Sequence, residues 1–138
     1  MHSLYGWVRI RHDGLWQRYC NGEITGDEYD AREEELLKQI GWRFGFPETR
    51  RLQDTIHRGM NGFRCLLFSG GTFNHYEVSP TMVLEWMRDN CPGSYGLVYE
   101  HDDEDPETGD AFVVWRLAKG EITRHPDTLL SPLSEKLG

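Results

Sequence analysis

Pro92-Gly93-Ser94-Tyr95-Gly96-Leu97-Val98-Tyr99-Glu100-His101-Asp102-Asp103-Glu104-Asp105 is the stretch whose reading decides the fold. Its first half reads as a buried strand. Cys91, Pro92 and Gly93 break any helix before it, and Tyr95, Leu97 and Tyr99 alternate with Gly96, Val98 and Glu100. Its second half opens a run of carboxylates, Glu100, Asp102, Asp103, Glu104 and Asp105, broken by His101 and continued past Pro106 by Glu107. A second apolar run follows at 111–117, so the acids fall in the loop of a β-hairpin. Such a hairpin holds a negative lobe out from a rigid sheet.

Upstream of this hairpin, Ser79 and Pro80 start a helix whose apolar face is Met82, Val83, Leu84, Trp86 and Met87. Before it, Ser69 to Glu77 reads as an irregular loop, and Phe63 to Phe68 as a central strand, apolar except at Arg64. Asn61-Gly62 supplies a hairpin turn to a modest strand over Arg50 to His57. An earlier helix begins at the capping box Thr25-Gly26-Asp27-Glu28, flanked by Ile24 and Tyr29 as a hydrophobic staple. Tyr29, Leu36, Leu37 and Ile40 form its apolar stripe, Glu33, Glu34, Glu35 and Lys38 face water, and Gly41 ends it near Ile40. Residues 4–11 alternate as a first strand, and Leu15 to Gly22 sets no period. Downstream, Lys119-Gly120 turns the chain into a short extension, Glu121 to Arg124.

The order β-α-β-β-α-β-β predicts an α+β domain: an antiparallel or mixed sheet of about five strands with two helices packed on one face. One domain is expected over 1–125, followed by a C-terminal tail over 126–138.

At 138 residues the chain is long enough to bury a core without covalent staples. A net charge of −8 repels nucleic acid and anionic membrane surfaces and favours basic partners. Cys20, Cys65 and Cys91 are odd in number and far apart, which reads as free thiols in a reducing cytosol. Residues 1–14 have no apolar core of a signal peptide, and no apolar run approaches the ~18 residues of a membrane span. A cytoplasmic protein is expected.

Enzyme chemistry finds little support. Ser69 precedes two glycines without a GxSxG pattern, Gly70-Gly71 has no Walker or GxGxxG context, and His75 stands alone as a general base. Asp103, Asp105 and Glu107 alternate as calcium ligands do, but Thr108 and Val114 stand where the EF-hand loop needs glycine and glutamate. No histidine pair has zinc spacing. Neither an enzyme nor a metal or cofactor is expected.

Two readings of the acidic loop stand level on the residues alone. Asp102, Asp103, Glu104, Asp105 and Glu107 either fill a basic cleft on a partner or keep the hairpin soluble and its edge unpaired. Trp7, Trp86 and Trp115 sit in regular elements and are expected in the core. Among aromatics in irregular segments (Trp16, Trp42, Phe44, Phe46), Phe73 and Tyr76, with His75 between them, are the favoured interface anchors.

The run PGSYGLVYEHDDED, with FVVWRLAKG at 112–120 and TLLSP at 128–132, resembles the immunity protein 7 family of bacterial polymorphic-toxin systems. The likeness extends to Tyr5-Gly6-Trp7, to Met60-Asn61-Gly62 and to FSGGTFNH at 68–75, so it spans nearly the whole chain. The resemblance implies a non-enzymatic α+β inhibitor that binds the C-terminal domain of a cognate toxin, and it tips the acidic loop toward binding. The expected partner is a nuclease or nucleotide-using toxin acting in the cytosol, basic around an active site that the inhibitor occludes as a monomer in a one-to-one complex. An acidic adaptor or chaperone-like module without a toxin, and a small hydrolase using His75 and the acids, are the alternatives.

Overall fold

Leu4, Val8 and Ile10 are fully buried while Tyr5 and Trp7 between them are exposed, the period-two signature of a strand with one face on a core. In the structure, a computed structural model that describes residues 2–43, 56–59, 63–73 and 79–132, this strand is β1 (His2–His12). It is followed by α1 (Asp13–Cys20), α2 (Gly26–Arg43), β2 (Ile56–Arg58), β3 (Arg64–Phe73), α3 (Pro80–Asn90), β4 (Gly93–Asp102), β5 (Val113–Ala118) and β6 (Glu121–Pro126). The six strands form one antiparallel sheet in the order β2-β3-β1-β4-β5-β6. The α+β class is as the sequence predicts, with one strand and one helix more among the described residues than expected. The added strand is β6, a continuation to Pro126 of the 121–124 extension.

β1 and β4 lie side by side because two glycines let them. A Cβ on Gly96 would stand 2.1 Å from the Trp7 carbonyl oxygen, and one on Gly6 would stand 2.1 Å from that of Leu97. No side chain fits at either place. This close pair joins the two hairpins, β2-β3 and β4-β5, at the middle of the sheet.

Leu37 and Ile40 of α2 and Val83, Leu84 and Met87 of α3 meet Leu4, Val8, Ile10, Leu66, Phe68, Val98 and Leu117 in a single core. Both helices therefore cover the same face of the sheet. The capping box of α2 is formed: Thr25 Oγ1 accepts from the Glu28 amide at 3.1 Å, and Glu28 Oε1 accepts from the Thr25 amide at 3.3 Å.

Several readings are corrected. Leu15 to Gly22, which sets no period, is mostly the helix α1, capped by the ring of His12, whose Nδ1 accepts from the Leu15 amide at 3.1 Å. Helix α2 runs through Gly41 to Arg43, because a glycine inside a helix costs only about 1 kcal/mol and does not compel a stop. Glu33 does not face water. It lies 2% exposed on the stripe between Tyr29 and Leu37, where Arg64 of β3 meets it. Ser69 to Phe73 is the second half of β3 and no loop, since Ser69 pairs with Tyr5, Thr72 with Ser3 and Phe73 with His2. Ser79 precedes α3 in extended conformation, but its hydroxyl bonds Thr81 Oγ1 at 2.7 Å and makes no cap bond. The Asn61-Gly62 turn lies outside the described residues. Its flanks close as a hairpin should, with the Gly59 amide donating to the Phe63 carbonyl at 2.8 Å.

Candidate functional site

The acidic stretch is the connection between β4 and β5, and its own carboxylates build it. Asp102 Oδ1 accepts from the Glu104 amide at 3.1 Å, and Asp105 Oδ1 accepts from the amides of Glu107 at 2.8 Å and Thr108 at 3.3 Å. Each is an Asx turn, in which a short carboxylate takes the place of a backbone acceptor. The amide of Glu107, with that of Thr108 and the charge of Arg124, holds the Asp105 carboxyl below the usual carboxylate range. The base of the loop is pinned as well, by His101 Nε2 against the Gly109 carbonyl at 2.8 Å.

Residues 127–131, expected to belong to the tail, are tied to this base. Ser131 Oγ accepts from the Phe112 amide at 2.8 Å and donates to Asp127 Oδ2 at 2.8 Å, while the Asp127 amide donates to the Phe112 carbonyl at 3.3 Å. The amides of Leu129 and Leu130 also donate to the Asp127 carboxylate, each at 3.0 Å.

The five acids expected to bind a partner therefore divide. Asp103, Glu104 and Glu107 are exposed, joined by Asp110, while Asp102 and Asp105 are half-buried acceptors of the turn. The outer acids are presented by a framework that the inner two make.

Phe73 reaches the same end of the sheet. His2 pairs with Phe73 on one side and Asp102 on the other, so the two residues flank one β1 position although 29 residues separate them (102 − 73). His75 and Tyr76 lie outside the described residues, as do Phe44 and Phe46.

With this geometry in place, the comparison with protein families is decisive: the model of immunity protein 7 matches residues 1–137. The chain belongs to the immunity protein 7 family. Comparisons with curated proteins and with solved structures gave no match. Family membership carries the role of an immunity protein, one that counters a toxin of a polymorphic-toxin system.

Chemistry of other kinds has less to work with. Ser69, Gly70 and Gly71 lie within β3, where Ser69 pairs with Tyr5 and the register shifts before Thr72 pairs with Ser3, so they form part of a strand and not a separate loop. Among the described residues no three His, Cys, Asp or Glu side chains converge as a metal site would require, and no helix is long and apolar enough to cross a membrane. The three cysteines are free, Cys20 exposed and Cys65 and Cys91 buried.

The sequence reading missed the face of the sheet that the helices leave uncovered. Trp7, expected in the core, is 40% exposed and stands edge-on to Tyr95 at 5.9 Å, itself 43% exposed. Tyr5, equally exposed, meets Phe112 edge-on at 5.7 Å, and Phe112 in turn contacts Tyr99 and His101. Arg9 and Arg11 stand in phase with Tyr5 and Trp7, which was the available signal that this side of β1 faces water.

Proposed function

We propose that this immunity protein acts in the cytosol as a non-enzymatic inhibitor, occluding the basic active site of its cognate toxin in a one-to-one complex. The observation that carries this reading is the hairpin of 102–110, on which Asp103, Glu104, Glu107 and Asp110 are exposed around a turn fixed by Asp102 and Asp105. Exposed carboxylates on a formed turn can take the place of substrate phosphates against Arg and Lys. They give charge-assisted hydrogen bonds and steer association. Because the turn is already formed, little ordering cost remains for the moment of binding.

A net charge of −8 makes the protein's field complementary to a nuclease or nucleotide-using toxin, whose cleft is basic because its substrate is anionic. Phe73, at the same sheet end as Asp102, would contribute apolar contact beside the charges, together with His75 and Tyr76.

The test is co-expression with the toxin domain encoded by the neighbouring reading frame. The account expects restored growth and a 1:1 complex on purification. Growth arrest despite stable expression of this chain would overturn it.

A further inference from the structure

We infer that the toxin docks on the uncovered face of the sheet, with an aromatic stripe from Tyr95 through Trp7 and Tyr5 as its centre and the acidic hairpin as its rim. The inference rests on the immunity reading above and goes beyond it by naming the surface. Register places these side chains together: Trp7 lies opposite Leu67 of β3 and Leu97 of β4, Tyr5 opposite Tyr99, and Arg9 opposite Tyr95. All point away from the core that α2 and α3 cover.

Scattered exposed apolar residues are ordinary, but a contiguous group on one sheet face marks an interaction surface. Tyr5, Trp7, Leu67 and Tyr95 are each about two-fifths exposed on adjacent strands, and Trp7 and Tyr95 already brace one another edge-on. Trp and Tyr are the residues that most often carry interface energy, especially at the centre of a patch whose polar rim excludes water.

The rim here has a sign. Phe112 and His101 connect Tyr5 to the base of the acidic hairpin, so the stripe runs into Asp103, Glu104, Glu107 and Asp110. At the opposite end, beside Tyr95, the guanidinium of Arg9 lies over the Phe63 ring at 4.3 Å, while exposed Arg116, opposite Leu97, flanks the stripe level with Trp7. A fitting partner therefore presents an apolar patch with Lys and Arg on the side that meets the hairpin. That is the border of a basic cleft, and the hairpin would enter the cleft while the sheet face covers its lip.

The experiment measures the affinity of the purified neighbouring-frame toxin domain for wild type, Trp7→Ser, Tyr95→Ser and Met82→Ser. Met82 is as exposed as the stripe residues but lies on α3, on the far side of the sheet. Melting curves accompany each variant, and sedimentation gives the oligomeric state. Trp7→Ser and Tyr95→Ser should each weaken binding at least about 10-fold, Met82→Ser less than about 2-fold, with melting temperatures preserved.

Wild type failing to bind would refute the immunity reading for that toxin. Wild type binding with the stripe variants unaffected would refute the docking face alone. A dimer that Trp7→Ser dissociates, with toxin affinity unchanged, would assign the stripe to a second copy of this chain and likewise overturn the inference. If Trp7→Ser does not fold, Tyr95→Phe and Leu67→Ser test the same face.

Discussion

The carboxylate of Glu33 and the guanidinium of Arg64 meet inside the protein, 31 residues apart in sequence, and join α2 to β3. Arg64 also reaches Glu34 at 3.2 Å and Asp30 at 3.5 Å, and Glu33 accepts from the Tyr29 hydroxyl. Burial opposes the charge on Arg64, but Glu34, Glu33 and Asp30 together raise its pKa. The helix is thus fixed to the sheet by apolar packing and by a satisfied polar cluster at the same contact.

Removing one member strands the other. Glu33→Ala should cost about 3 kcal/mol in urea unfolding, the low end for a broken buried pair, because Arg64 keeps two partners. Replacing both, as Glu33→Leu with Arg64→Met, should recover most of that loss, since an apolar pair of similar volume removes the desolvation problem. A Glu33→Ala variant within about 0.5 kcal/mol of wild type would show that the cluster contributes nothing measurable.

The close approach of β1 and β4 gives a second expectation. Gly96→Ala forces a methyl against the Trp7 carbonyl and should cost more than about 3 kcal/mol by overpacking. Gly120→Ala, in open space at a positive φ of 74°, should cost only about 1 kcal/mol of backbone strain. Chemical denaturation of the two variants side by side decides it, and equal losses would contradict the register.

Alkaline stability follows from Cys91. Burial, with the nearby charge of Glu33, pushes its thiol from about 9 up to about 12. The folded thiol holds its proton more tightly than the unfolded one, so its contribution is complete below pH 9 and is lost as pH rises toward 12. Tyr29, raised by burial and by its bond to Glu33, acts in the same direction. The unfolding free energy from denaturant titrations should fall between pH 9 and 11 by at most about 1.4 kcal/mol per pH unit for this thiol, and Cys91→Ala should flatten the slope. An unchanged slope would remove the thiol from the explanation.

What the sequence showed and hid follows from how far each signal reaches. The Thr25 and Glu28 capping box and the hairpin strands were legible because turns and caps are written within four residues. Arg64 was visible as an exception, one base in an apolar strand, but Glu33 read as one of several acids facing water, and pairing the two needs the fold. Helix α1 was hidden because histidine is an uncommon cap. At the candidate site the acids were legible as a group. The division into inner acceptors, Asp102 and Asp105, and outer charges was not, since several acids in the run could accept a turn amide and the backbone path decides which do. The exposed stripe was missed because Tyr95 and Trp7 read as apolar, and exposure depends on where the helices pack.

The measurement closest to the central claim is toxin association kinetics at two salt concentrations for wild type and for Asp103→Asn, Glu104→Gln, Glu107→Gln and Asp110→Asn combined, a variant that keeps both turn-forming aspartates. At low salt the variant should associate at least about 10-fold more slowly than wild type. The wild-type rate should fall as salt rises, and the melting temperatures should stay close. Equal association rates at both salts, with equal protection of cells, would contradict the account and leave the hairpin's charge to solubility.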